Sequence, residues 1–231
     1  MLGALLPLPA FRLSVPYGDP YVSSCPHCGR SLWWVGPVCP QCTRRVGPPW
    51  WATAFVAAVA GVALAWALPG GPVLVVFLAL SVVGVLLAFV DVAVQRLPTV
   101  VVLPALGAAV AAFALITVSG GGTAGQLGRA LLGGLALGAV FLALHLLPGG
   151  KLGFGDVQLA VLLGVLLGWL GWSQVLWGAL FPWLVNAPVV LVLLALGRVH
   201  QRSRVPFGPS LFAGALFAVV VPAALARLWA G

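Results

Sequence analysis

The sequence predicts an all-α fold: a polytopic transmembrane helical bundle of about seven spans, preceded by a small cysteine-bearing head on the cytoplasmic side. Composition is the first observation behind this. Apolar residues make up 62% of the chain, charged residues only 6%, and mean hydropathy is +1.17. The second is continuity. Apolar stretches of about 18 residues or more recur from Trp50 onward, each able to cross a hydrocarbon core of roughly 30 Å as a helix. They do not alternate, which argues against a β-barrel.

Residues 1–49 read as the head and residues 50–231 as the membrane domain. Residues 1–10 are apolar but contain Pro7 and Pro9 and no basic flank, so they make a poor signal sequence. Pro48 and Pro49 close the head, and Trp50 and Trp51 suit the membrane interface. The expected spans are 50–68, 73–90, 99–118, 127–147, 157–171, 174–196 and 209–229. Their ends are set by Pro69-Gly70-Gly71-Pro72, Leu97-Pro98, Gly120-Gly121-Gly122, Pro148-Gly149-Gly150 and Pro206-Phe207-Gly208-Pro209. The break at Gly171-Trp172-Ser173 is the weakest. Gly128, Gly133, Gly134 and Gly138 make the fourth span suited to close helix contact.

A net charge of +8 raises nucleic acid as a partner, but the basic residues fall at helix ends and loops, so the lipid bilayer is the expected environment and nucleic acid is not. With the head in the cytoplasm, Arg12, Arg30, Arg44, Arg45, Arg96, Lys151, Arg198, Arg202 and Arg204 lie inside, and Arg129 and Arg227 lie outside. That bias orients the chain. It also puts Asp91, at the end of the second span, and Asp156, at the start of the fifth, on one membrane face.

Asp19, Asp91 and Asp156 are the only acidic residues. An ionisable group inside an apolar span is costly and marks a functional site by default. Two neighbouring carboxylates share one proton, so one can activate water while the other protonates a scissile carbonyl. Asp91 and Asp156 are therefore the candidate catalytic pair. Gly153 and Gly155, without side chains, let an extended substrate backbone approach the acid. Competing readings make Asp156 a helix N-cap and Asp91 an ion-pair partner of Arg96. His145, near the end of the fourth span, is a candidate proton partner, and Lys151 a candidate for tuning Asp156; both also read as interfacial residues.

The head carries Cys25-Pro26-His27-Cys28, then ten residues, then Cys39-Pro40-Gln41-Cys42. Two such pairs suit a structural tetrahedral Zn²⁺ with Cys25, Cys28, Cys39 and Cys42 as ligands. Disulfides are the alternative, disfavoured in the cytoplasm. His27 reads as a residue outside the ligand shell.

Together these residues resemble the type IV prepilin peptidase family, the Gly-x-Gly-Asp membrane aspartyl proteases of pilus and secretion systems. Four pieces carry the resemblance: the paired cysteines, Asp91 followed by Leu97-Pro98, Gly153-Phe154-Gly155-Asp156, and Pro206-Phe207-Gly208-Pro209. The resemblance implies an aspartic endopeptidase of the bacterial plasma membrane. It would cleave the leader peptide of prepilin or pseudopilin substrates at the cytoplasmic membrane face, with Asp91 and Asp156 as its catalytic acids. Larger members begin with another span before the cysteines; the first 24 residues are too short and proline-rich for it, so either the chain is reduced or its start is misassigned. Members that also methylate the new N-terminus use an acidic residue with no counterpart here, so S-adenosylmethionine is not an expected cofactor. Thr99 and Gln158 stand where many members have Asp and Lys. The rival readings are a proton-coupled membrane transporter and a catalytically inactive pilin-assembly scaffold.

Overall fold

Seven long helices follow one another from Trp50 in a computed structural model that describes residues 2–15, 20–31, 38–147, 152–195 and 207–230. A short 3-10 turn (Leu2–Leu5) and α1 (Pro7–Leu13) precede them. The long helices are α2 (Trp50–Ala67), α3 (Pro72–Val94), α4 (Thr99–Val118), α5 (Ala124–Leu146), α6 (Phe154–Leu170), α7 (Trp172–Ala195) and α8 (Gly208–Ala230). Among the described residues the only β structure is two isolated bridges in the head. By length and composition, α2, α3, α4, α5 and α8 can each cross a membrane, while α6 is apolar but only 17 residues long. The chain is thus an all-helical, multi-pass membrane protein. Asp19, Lys151, Arg198, Arg202, Arg204 and Pro206 lie outside the described residues.

The Gly and Pro punctuation sets the helix ends near the expected places, but α5 and α6 each begin three residues early, at Ala124 and Phe154, and α3 ends late. α3 does not stop at Val90 but runs on to Val94, so Asp91 lies inside its last turn. Gln95 ends the helix by taking the left-handed conformation (φ 52°) and returning its N–H to the Asp91 carbonyl at 2.8 Å. The weak break at Gly171 is real: α6 closes at Leu170 and α7 begins two residues later.

α6 is the axis of the bundle. Val157, Leu159, Ala160 and every residue from Leu162 to Trp169 are buried. α5 reaches it through glycines on both sides. A Cβ on Gly133 would sit 2.6 Å from the Gly164 carbonyl oxygen, and one on Gly168 would sit 2.6 Å from the Arg129 carbonyl oxygen. Val161 and Val165 fill the spaces over Gly138 and Gly134. Such small-residue seams let backbones meet and gain dispersion energy where lipid offers no hydrophobic drive. The other face of α5, with Leu131, Leu135 and Val140, is exposed, as a lipid-facing surface requires.

The two ends of the bundle differ. Arg129 donates to the carbonyls of Gly168, Trp169 and Leu170 (2.8, 2.9 and 3.5 Å), closing the C-terminus of α6, while Trp169 stacks on Phe113 with centroids 4.3 Å apart. Arg227, at the same end, donates to the Trp66 carbonyl and lies over its ring. At the opposite end the head rests on α2 and α3, with Gly3 against Thr53 and Ala57, and Arg96 donates to the Val15 carbonyl.

Candidate active site and cysteine cluster

Asp91 and Asp156 meet at the head end of the bundle. Two connections bring them there. α4 and α5 carry the chain away and back, and Gly155 then packs on the Leu97-Pro98 turn that follows α3; a Cβ on Gly155 would lie 2.8 Å from the Leu97 Cβ. Both acids are buried, at 4% and 8% exposure, and they lie within electrostatic reach of one another.

Each carboxylate is held by the backbone N–H of a glycine. Gly208, the first residue of α8, donates to Asp91 Oδ2 at 2.7 Å across 117 residues of sequence. Gly153 donates to Asp156 Oδ2 at 2.9 Å. Charge-assisted bonds of this kind are about twice as strong as neutral ones and fix the carboxylate plane. Gly208 was not among the residues expected at the site, although it stands in the Pro-Phe-Gly-Pro segment. A Cβ there would approach Asp91 Oδ2 to 2.9 Å, so only glycine leaves the carboxylate room.

Asp156 is not an N-cap. Gly153 occupies that position in extended backbone, and Asp156 is the third helical residue, bonding back to the capping N–H. The side on which Gly155 lacks a Cβ is filled by Leu97, so its smallness serves the α3–α4 turn, whereas a Cβ on Gly153 would meet only Asp156 and the Gly155 nitrogen. His145, the basic residue in the last turn of α5, lies near Asp156. Its Nδ1 is 2.7 Å from the Leu152 carbonyl oxygen, and its ring is 6.0 Å from that of Phe154. Gln158 keeps its Oε1 buried with no hydrogen-bond partner among the described residues.

The four cysteines form a cluster whose ligand atoms all lie within 4.8 Å of one another. Cys25 Sγ is 3.8 Å from Cys42 Sγ, and Cys28 Sγ is 3.7 Å from Cys39 Sγ. All four thiols are free, so the disulfide alternative is not realised. Thiolates about 2.3 Å from one tetrahedral ion stand about 3.8 Å apart, so the cluster fits a single metal ion.

The two Cys-x-x-Cys turns are built alike. Cys25 N–H bonds to the Arg30 carbonyl and Gly29 N–H to the Cys25 carbonyl; Cys39 N–H bonds to the Arg44 carbonyl and Thr43 N–H to the Cys39 carbonyl. Gly29 and Thr43 hold the same left-handed position, at φ 73° and 53°. The repeat is also written in the sequence, as Cys25-Pro26-x-Cys28-x-Arg30 and Cys39-Pro40-x-Cys42-x-Arg44. Burial raises the Cys39 thiol, but the N–H groups of Cys42 and Gln41 and two neighbouring sulfurs outweigh it and lower it to about 6. At Cys28 the Arg30 backbone lowers the pKa, yet burial and the three other thiols push it up to about 12.

No family model and no solved structure matches the chain. Curated proteins do. A prepilin leader peptidase/N-methyltransferase of Aeromonas hydrophila is 31% identical over 219 residues, covering 88% of this chain and 71% of the relative. One of Burkholderia pseudomallei is 33% identical over 226 residues, covering 90% and 68%. One of Aeromonas salmonicida is 30% identical over 205 residues, covering 82% and 67%. On this likeness, extending over most of its length, the chain belongs to the type IV prepilin peptidase family.

Proposed function

We propose that the protein is a prepilin peptidase, a membrane aspartyl endopeptidase that removes the leader of prepilin or pseudopilin substrates at the cytoplasmic face of a bacterial plasma membrane. What carries this reading is the convergence of two buried carboxylates from remote helices, each steadied by a glycine N–H. The names of the relatives support the substrate class.

In this mechanism Asp91 and Asp156 hold one proton between them. The ionised acid takes a proton from a water molecule as that water attacks the scissile carbonyl, and the protonated acid donates to the carbonyl oxygen. Oδ2 of each accepts an N–H, and the proposed mechanism uses the other oxygen of each acid for water and substrate. Gly153, on its open side, supplies backbone for an extended leader to approach, while Gly155 is taken up by the Leu97 turn. The cytoplasmic orientation of the head rests on the basic residues at its end of the bundle. Cys25, Cys28, Cys39 and Cys42 hold a structural Zn²⁺ that folds the head. Methyl transfer is not part of the proposal: the chain has no glutamate, and S-adenosylmethionine is not proposed as a cofactor.

The test is cleavage of a synthetic prepilin by purified protein in detergent or proteoliposomes. Wild type cleaves it; Asp91→Asn and Asp156→Asn do not, while metal content and helicity are retained. Cleavage by either variant would remove the aspartyl reading.

A further inference from the structure

Leu152 and Gly153 share one peptide unit, and both polar ends of it are in use. His145 Nδ1 lies 2.7 Å from the Leu152 carbonyl oxygen. A carbonyl only accepts, so Nδ1 carries the proton. At the other end of the same peptide, the Gly153 N–H donates to Asp156 Oδ2 at 2.9 Å. Imidazole, peptide and carboxylate thus stand in series. Hydrogen bonds in series polarise one another, so a donor on the carbonyl makes the amide proton a stronger donor to the acid.

Orientation matters as much as strength. Gly153 is exposed and has no side chain to pin the plane of its peptide. A rotation of that one plane would turn the N–H away from Asp156. His145 supplies an anchor from another element: α5 is seamed to α6 through Gly133, Gly134 and Gly138, so the imidazole and Asp156 belong to one rigid pair of helices. Phe154 lies beside the imidazole, and the ring is within electrostatic reach of Asp156.

We infer that His145 is a positioning residue for Asp156: its Nδ1–H pins the Leu152–Gly153 peptide so that the Gly153 N–H stays on the carboxylate. The catalytic consequence rests on the peptidase reading above; the contact itself does not.

The experiment follows the Gly153 amide by NMR in protein labelled with ¹⁵N-glycine, its peak assigned through its loss in Gly153→Ala. The wild-type amide proton is expected downfield. It moves upfield in His145→Phe and holds its place in His145→Asn, whose side-chain amide can donate where Nδ1 does. On a synthetic prepilin, kcat falls roughly tenfold in His145→Phe with KM within about twofold, and His145→Asn restores most of it. If His145→Phe does not fold, His145→Gln, whose amide reaches toward Nε2 and not Nδ1, gives the same comparison. An unmoved Gly153 peak overturns the inference whether or not the protein cleaves prepilin, and so does a moved peak with kcat unchanged. A peak that moves as expected in a wild-type background that cleaves no prepilin overturns the peptidase reading and leaves the positioning role standing.

Discussion

Gly208 holds Asp91 by a 2.7 Å bond from its backbone N–H, joining the start of α8 to the last turn of α3 across most of the bundle's sequence. Because a Cβ at this position would sit 2.9 Å from Oδ2 and 3.1 Å from the Cγ of the same carboxylate, the bond and the absence of a side chain are one requirement. Gly208→Ala forces the acid off its donor. Peptidase kcat should fall about 10- to 100-fold, a loss of roughly 1.4–2.8 kcal/mol in transition-state stabilisation, with the helical spectrum unchanged. Steady-state cleavage beside circular dichroism checks this.

The seam between α5 and α6 sets stability more than chemistry. A Cβ on Gly164 would lie 2.8 Å from the Gly134 Cα and overlap the Gly133 backbone, which cannot rotate away. Gly164→Val should destabilise the protein by about 1–3 kcal/mol or more through overpacking. The readout is the thermal midpoint in detergent, expected to drop by several degrees.

Arg129 stands at the end of the bundle away from the acids. Its guanidinium donates to three carbonyls that close α6. Arg129→Met keeps the apolar stem and removes the donors, leaving partly buried carbonyls unmet. A loss of about 1.5–3 kcal/mol is expected, seen as a lower midpoint in the same melt. Leader cleavage by the folded fraction should persist, because the acids sit at the other end.

Metal binding to the head should release protons. Cys39, lowered to about 6, contributes less than an ordinary thiol would. Cys28, raised to about 12, is protonated at pH 7.5 and must lose its proton to become a ligand. Titration calorimetry of the metal-stripped protein with Zn²⁺ in buffers of different ionisation enthalpy should therefore report at least about one proton released per ion. Cys28→Ser should lower that number together with the affinity.

Much of the helical architecture was legible because apolar length and Gly/Pro punctuation act locally. The seven helices begin and end near the expected positions, and the weak break at Gly171 was visible as a glycine before a tryptophan. The end of α3 was not, because it depends on Gln95 adopting a left-handed conformation that its residue type does not advertise. The two acids could be placed on one face by counting spans. What holds them could not, since a bond from Gly208 to Asp91 depends on how α8 is rotated against α3, a property of the packed bundle. The small residues of α5 announced a close contact without naming α6 as the partner. The cysteine spacing points to the cluster and the doubled Cys-Pro-x-Cys-x-Arg to its repeated turn, while the left-handed backbone at Thr43 is not advertised by its residue type.

At Gly133, Gly164 and Gly168 the contact between α5 and α6 is backbone on backbone, with no side chain there to yield, so the two move as a plank. Asp156 and His145 ride on it together. Asp91 stands on the opposite wall, where Phe212 of α8 packs on Gly84 of α3 and the first N–H of α8 holds the carboxylate, so any change in the gap between the acids has to come from that side.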